Sequence, residues 1–321
     1  MSEAGSAALG TTGTPASAPG PGALLDRLLD QVPELSGERD IHELPGGLTN
    51  RNYKVDCPGG AYVVRVSPRE ADALAINRDH EHENSVRAAA AGVGAPVVAY
   101  LPDDGMTVFG FIDGKTYGDE DFKVPGTIPR VARSVRRLHS AERFVNDFNM
   151  FEIQQQYLRM VRQSGFRLPE GYLGFEPHVQ RIKAALAVND EGTVPCNNDL
   201  LAANFIDDGD QIWLIDYEYA GNNDACFELG NIWSECHLTL DELEVLVAEY
   251  YGRPLRNKVA RAQLQGLMSR YGWTLWASIQ DGSSPLDFDF WSWGMEKYDN
   301  AVRVFRSPEF DHLLEEAQRP D

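Results

Sequence analysis

The sequence predicts an α+β chain of two lobes, a small antiparallel-sheet lobe followed by a larger, mainly helical one. Three observations carry this. At roughly 150 residues per domain, 321 residues suggest two units. Up to about residue 112 the β-rich runs come in pairs about tight turns, with one long helical segment between the pairs. After Gly114 the texture changes to long helical segments, interrupted by a single β-like stretch. Sheet and helix segregated along a chain make an α+β fold, whereas strict alternation would make α/β. The expected division is a disordered tail over 1–22, an N-terminal lobe over 23–112 and a C-terminal lobe over 113–321.

Each element follows from a local signal. The opening MSEAGSAALGTTGTPASAPGPG is Gly, Ala, Ser, Thr and Pro, which cannot bury enough surface to order a backbone. It has neither a basic region nor an apolar stretch of the kind a signal peptide needs. From Ala23, Leu24, Leu25, Leu28, Leu29 and Val32 recur at helical spacing. Two strands over 53–56 and 61–66 flank a Pro-Gly-Gly turn and are preceded by their own glycine loop. A helix over 78–91 ends at Gly92 and Gly94, and the runs PVVAYL and MTVFGFI flank a turn at 102–105. Helices over 130–139, 151–163 and 176–188 follow, then the β-like CNNDLLAANFIDDGDQIWLIDYEYAG, then helix to the end. There is no internal repeat and no coiled-coil heptad.

Composition narrows the partners. With 29 Lys and Arg against 49 Asp and Glu, the formal charge is −20. A field of that sign repels nucleic-acid backbones and anionic membranes and favours cationic ligands, although solubility alone accounts for it in many proteins. No apolar run approaches the roughly 18 residues of a membrane span, so membrane insertion is not expected. Cys57, Cys196, Cys226 and Cys236 are scattered without a C-x-x-C pair, which reads as reduced thiols in a cytoplasmic protein. The oligomeric state stays open between monomer and homodimer.

The chemistry concentrates in 197–218. Asp199 is followed five positions later by Asn204, then by a hairpin turning at 207–210, whose return strand ends on Asp216. Asp-x-x-x-x-Asn, a hairpin and an Asp at a strand end is the kinase arrangement. One Asp takes the proton of the attacking hydroxyl, while the Asn and the second Asp hold magnesium against the phosphates. Asp199 and Asp216 sit among Leu200, Leu201, Leu214 and Ile215, where a carboxylate is costly without a partner or cation. Asp207, Asp208 and Asp210 read as ordinary turn acids.

The stretches GGLTNRNYKV, INRDHEHEN, CNNDLLAANF and LIDYEYAGNNDACFELGN resemble the choline/ethanolamine kinase branch of the aminoglycoside-phosphotransferase-like kinases, over about 44–298. The resemblance implies a two-lobed protein-kinase-like fold with ATP in the cleft. The N-terminal lobe would then bind nucleotide, and the C-terminal lobe would carry catalysis and substrate. It places Gly46, Gly47, Leu48, Thr49 and Asn50 over the phosphates, and Arg65 where protein kinases keep a lysine. Glu81 would pair with Arg65, with Glu83 the alternative. Gly110, Phe111 and Ile112 would form the hinge that meets the adenine. Asp199 would be the base, and Asn204 and Asp216 would hold Mg2+. One departure stands out: the family usually has histidine where this chain has Asn197. His139 reads as a packed structural histidine.

All six tryptophans lie after residue 210. Trp273 and Trp276 share a helix face, as do Phe290 and Trp293, with Trp291 directed elsewhere. By spacing alone such aromatics read as core. The resemblance instead assigns Trp273, Trp276, Phe290 and Trp293 to a cage for a trimethylammonium, with Glu218 and Glu235 as acids beside the cationic head. The expected activity is ATP-dependent phosphorylation of the hydroxyl of a small cationic amino alcohol, choline before ethanolamine. An alternative enzyme is a kinase for an aminoglycoside, thiamine or another amine-bearing metabolite. An alternative outside catalysis is a nucleotide-binding pseudokinase scaffold, supported by Asn197.

Overall fold

The computed structural model describes residues 21–45, 50–67 and 76–320. Nearly all of the expected tail, and Gly46, Gly47, Leu48 and Thr49 of the glycine loop, lie outside the described residues.

The first helix, α1 (Pro21–Leu29), leads to strand β1 (Asp40–Leu44), which the sequence reading did not anticipate. β1 pairs antiparallel with β2 (Arg51–Cys57), Asp40 opposite Asp56. Then come β3 (Gly60–Val66), helix α2 (Arg78–Ala90), β4 (Val97–Leu101) and β5 (Met106–Gly110). These strands form one five-stranded sheet in the order β1-β2-β3-β5-β4, so the two expected hairpins are joined through β3 and β5. Alternation along β3 sets the two faces. Val64 is fully buried in a core with Leu28, Leu29, Val55, Met106 and Val108. Arg65, the next residue, therefore projects from the opposite face. α2 begins on an Asn77 cap, whose side chain accepts from the N–H groups of Asp79 and His80.

The chain then passes β6 (Lys115–Thr116) into helices α3 (Thr127–His139), α4 (Met150–Ser164) and α5 (Glu176–Leu186). The β-like interruption resolves into short strands β7 (Val194–Cys196), β8 (Phe205–Asp207), β9 (Ile212–Leu214) and β10 (Gly221–Asn223). β8 and β9 form the expected hairpin, and β7 pairs with β10. Leu214 N–H donates to the Val93 carbonyl at 2.9 Å, which ties this hairpin to the segment after α2. Five helices close the chain: α6 (Ala225–Glu235), α7 (Leu240–Tyr251), α8 (Arg256–Ser283), α9 (Phe290–Phe305) and α10 (Glu309–Ala317).

α8 is the spine of the second lobe, roughly 40 Å long at 1.5 Å per residue. It can be approached closely because its neighbours carry glycines. A Cβ on Gly230 of α6 would stand 2.0 Å from the Ala262 carbonyl oxygen, and one on Gly294 of α9 would stand 2.5 Å from Ala277 Cβ. These contacts bring the end of α6 and the first turns of α9 against the tryptophans of α8.

Candidate active site

The segment between β7 and β8 is held from beneath by a buried acid. Glu228 on α6 is fully buried, and its two oxygens accept from the backbone N–H groups of Asn197 and Asn198 at 2.8 and 2.7 Å. Asn198 takes a left-handed conformation, φ 69°, which Asn tolerates better than most residues. Its amide donates to the carbonyls of Tyr219 and Gly221. Asn197 links three pieces: Nδ2 donates to the carbonyls of Ile215 at 3.1 Å and Asp216 at 2.8 Å, and Oδ1 accepts from Asp199 N–H at 3.1 Å. Asn204 Nδ2 donates to the Asp199 carbonyl at 2.8 Å, leaving Oδ1 as its remaining polar atom. Asp216 follows β9 and also has a positive φ, 64°. One hydrogen-bonded unit thus fixes Asp199, Asn204 and Asp216 relative to one another.

From the sheet side, Arg65 Nη1 donates to Glu81 Oε1 at 2.7 Å and to Asp216 Oδ1 at 2.8 Å. Glu83, the alternative partner, is exposed. Burial opposes charge on Arg65, but the carboxylates of Asp216, Glu81 and Glu218 outweigh it and push its pKa up, so the guanidinium stays charged. Arg78 adds a second bridge, reaching Glu81 Oε2 at 2.6 Å, Glu218 Oε2 at 3.0 Å and Asn50 Oδ1 at 3.0 Å. Asn50 Nδ2 in turn donates to Glu218 Oε2 at 2.7 Å. Glu218 is therefore bound to Arg78, whose charge offsets its own, and accepts a further hydrogen bond from Asn50.

Two cavities meet at this unit. The larger, about 510 Å³, runs from Leu44, Val63 and Arg65 past Phe109, Gly110, Phe111 and Ile112 to Asn204 and Asp216. Its apolar walls and the strand-end backbone of 110–112 suit a flat heteroaromatic ring. The smaller, about 160 Å³, is lined by Asp199, Glu218, Tyr219, Glu235, Trp273, Trp276 and Trp293 among others. Asn52, Ala203, Asn204 and Asp216 line both. Asp199 lies on the smaller cavity only. Burial raises its pKa well above the ordinary aspartate value, and the carboxylates of Asp216, Glu235 and Glu218 raise it further.

The aromatic wall is built edge to face. Tyr219 meets Trp273 with centroids 4.9 Å apart, and Trp276 meets Trp293 at 5.5 Å. Trp276 Nε1 donates to Tyr219 Oη at 2.8 Å. Phe290 stands behind Trp276, at 5.8 Å, and is not among the cavity-lining residues. Trp291 faces away, with the Arg167 guanidinium 3.8 Å above its ring. His139 is buried and bonded through Nδ1 to Tyr250 Oη at 2.8 Å, away from both cavities.

One expectation about the hairpin needs correction, while Asp208 has the contacts of a turn acid. Asp207 is not an ordinary turn acid: Arg130 and the Tyr117 hydroxyl both bond its carboxylate. Asp208 accepts from the N–H groups of Asp210 and Gln211 and from Trp213 Nε1, closing the turn. Sequence reasoning missed Glu228 and Tyr219. An acid inside the apolar helix run ACFELGN was the one signal for Glu228.

A family model described as choline/ethanolamine kinase matches residues 41–258. A solved structure of a choline/ethanolamine kinase family protein from Mesorhizobium loti is 28% identical, with a TM-score of 0.81 over 92% of this chain and 99% of that one. The protein LicA of Haemophilus influenzae is 23% identical over 82% of this chain and 80% of its own length. Ethanolamine kinase 2 of Rattus norvegicus is 25% identical over 80% of this chain and 74% of its own. The family match takes in both lobes and well over half of the chain, ending at the start of α8 before Trp273, Trp276 and Trp293, so this chain belongs to the choline/ethanolamine kinase family and is a kinase that phosphorylates an alcohol.

Proposed function

We propose that this chain transfers the γ-phosphoryl group of ATP to the hydroxyl of choline, and of ethanolamine as a second substrate. The observation that carries the choice is the smaller cavity, where three tryptophans and a tyrosine stand beside Glu235 and end at Asp199. A quaternary ammonium has no N–H to donate, so carboxylates attract it without directing it, whereas ring faces can surround it. The hydroxyl end then points toward Asp199 and toward the residues shared with the larger cavity.

Each group has a role in this reading. Phe111 and Ile112 flank the adenine, and Arg65, oriented by Glu81, gives its guanidinium to the phosphates. Asn204 Oδ1 and the Asp216 carboxylate are hard oxygen donors on the border of the two cavities, which fits magnesium. When bound, that ion supplies positive charge to the phosphates. Asp199 accepts the acceptor's hydroxyl proton as the oxygen attacks the γ-phosphorus, and ADP leaves. Its neighbourhood of acids makes it a better proton acceptor than a free aspartate. Trp273, Trp276, Trp293 and Tyr219 hold the head, and Glu235 supplies negative charge at its far side. Phe290 supports Trp276 from behind. We place the lobe boundary at 112/113, where the sheet has ended and the cavity wall passes to the second lobe. The pseudokinase alternative loses its support, because Asn197 is not a gap in the loop but its central tie.

The test is ADP release with choline, ethanolamine, thiamine, an aminoglycoside panel and no acceptor. Turnover is expected with choline and, less efficiently, ethanolamine. Trp273→Ala or Trp293→Ala should raise the choline KM from a few-fold to about 30-fold, at roughly 0.5–2 kcal/mol per ring, and leave the ATP KM unchanged. Equal losses for every acceptor, with a lower Tm, would return these tryptophans to the core alone.

A further inference from the structure

Two residues that line the smaller cavity, Glu235 and Trp293, already share a cation, Lys297, which itself stands behind the lining. Lys297 lies one turn beyond Trp293 on α9, and its Nζ stands 2.5 Å from Glu235 Oε2. The same ammonium sits 4.1 Å from the centroid of the Trp293 ring. Both members of the pair are largely enclosed, with side-chain exposures of 12% for Lys297 and 10% for Glu235. A carboxylate on one side and an aromatic face on the other is the environment proposed above for the substrate's own ammonium. Lys297 satisfies both. The i, i+4 spacing places it over the ring, and the absence of a side chain on Gly294 lets α9 pack closely against Ala277 of α8. Its charge also reaches Asp199, where it opposes the upward pull of burial and of the neighbouring acids on that carboxyl.

We infer, on the reading of Glu235 and Trp293 as part of the cation box, that Lys297 is a built-in competitor for the acceptor's ammonium. In the empty cavity it pairs directly with Glu235, which would otherwise be an enclosed carboxylate with only the more distant charge of Arg270 to offset it, a costly arrangement. When the acceptor enters, its ammonium takes over Glu235 and the Trp293 face, and Lys297 withdraws. The exchange keeps the fold stable without substrate and sets acceptor affinity below what the bare box would give. It also adds discrimination, because a neutral alcohol of the same shape cannot replace Lys297 at the carboxylate. Lys297 is in this sense a specificity-determining residue, acting through Glu235.

The experiment compares choline with 3,3-dimethylbutan-1-ol, its neutral isostere, in wild type, Lys297→Met, Lys297→Arg and Trp293→Ala. Lys297→Met should lower the choline KM by roughly three- to tenfold, the scale of one screened like charge removed from a partly enclosed site. The isostere KM should move by less than about twofold, the ATP KM should hold, and the Tm should fall. Lys297→Arg should stay near wild type. Lys297→Gln, which keeps a donor for Glu235, is the second variant should the methionine fail to fold, with the same direction expected. A choline KM that is unchanged or higher in Lys297→Met, in a wild type that does prefer choline, overturns the inference: Lys297 then only holds Glu235 in place. Failure of the box itself looks different. Wild type would not distinguish choline from its isostere, and Trp293→Ala would affect both alike.

Discussion

Asn197 stands where the family resemblance leads one to expect a histidine, so replacing it tests the architecture most directly. The residue is fully buried, and its side chain makes three hydrogen bonds, to the carbonyls of Ile215 and Asp216 and from the N–H of Asp199. Asn197→Ala leaves two carbonyls and one N–H without that partner. At about 1 kcal/mol net per bond, the loss is ~3 kcal/mol. For a chain of this size that corresponds to a Tm lower by roughly 6 °C. Activity should fall further than stability explains, because the same bonds fix Asp199 against Asp216, and a displacement of about 1 Å can cost around 10²-fold in turnover. Asn197→His restores a ring donor and should recover most of the turnover; Asn197→Asp loses the donors, adds charge next to Glu228, and should be the worst of the three. The assays are thermal unfolding and kcat measured well below the Tm. An alanine variant with wild-type Tm and kcat would refute the claim that this amide ties the two segments together.

Three further outcomes follow from the same geometry. Asp199→Asn keeps the shape and removes the proton acceptor, so turnover should drop about 10²- to 10⁴-fold with ATP binding preserved, as read by nucleotide titration. Asp216→Ala should cut turnover and weaken its magnesium dependence, whereas Asp208→Ala, which loses its bonds in the hairpin turn, should lower the Tm slightly and spare kcat; equal kinetic losses would mean a folding defect. Asp207 supplies the pH test. Its bonds with Arg130, ahead of the opposing effect of burial, and with Tyr117 hold its pKa down at about 2. A depressed carboxylate stabilises the fold above its unfolded pKa of about 3.9, and the contribution disappears as pH falls through the folded value. Asp207→Asn should therefore be less stable than wild type in urea at pH 7, by a margin that shrinks below about pH 4. A margin independent of pH would show that the charge contributes nothing.

The parts of the site legible in the sequence are those with short-range geometry. Asp199, Asn204 and Asp216 are set by a loop and a tight hairpin, so spacing alone brings them together. Arg65 is legible because strand alternation sends it away from Val64, and Glu81 because it lies in the first turn of α2. What stayed hidden has no local pattern. β1 is an edge strand, Asp-Ile-His-Glu-Leu, whose charged residues mask the alternation. Glu228 reaches Asn197 across 31 residues and Lys297 reaches Glu235 across 62, distances over which no periodicity operates. α8 is buried around most of its circumference from Ala260 to Gln280, so it has no polar face from which a period could show its orientation.

The tryptophans explain why the substrate was the hardest part to read. Spacing favours core, resemblance favours cage, and the positions of Trp273 and Trp276 are compatible with both: they are 4% and 6% exposed within the main core cluster of the second lobe, yet both line the smaller cavity. The two uses are compatible because an indole has two faces and an edge. Trp276 packs one side on Phe290 and Trp293, spends its N–H on Tyr219, and still contributes wall to the cavity. On the proposed reading, a cation box made from the core's own aromatics has rigid walls, held by packing that no ligand needs to induce. Its selectivity must then come from charge placement rather than from movement of the rings. That leaves Glu235, and the lysine that shares it, as the adjustable part of the site.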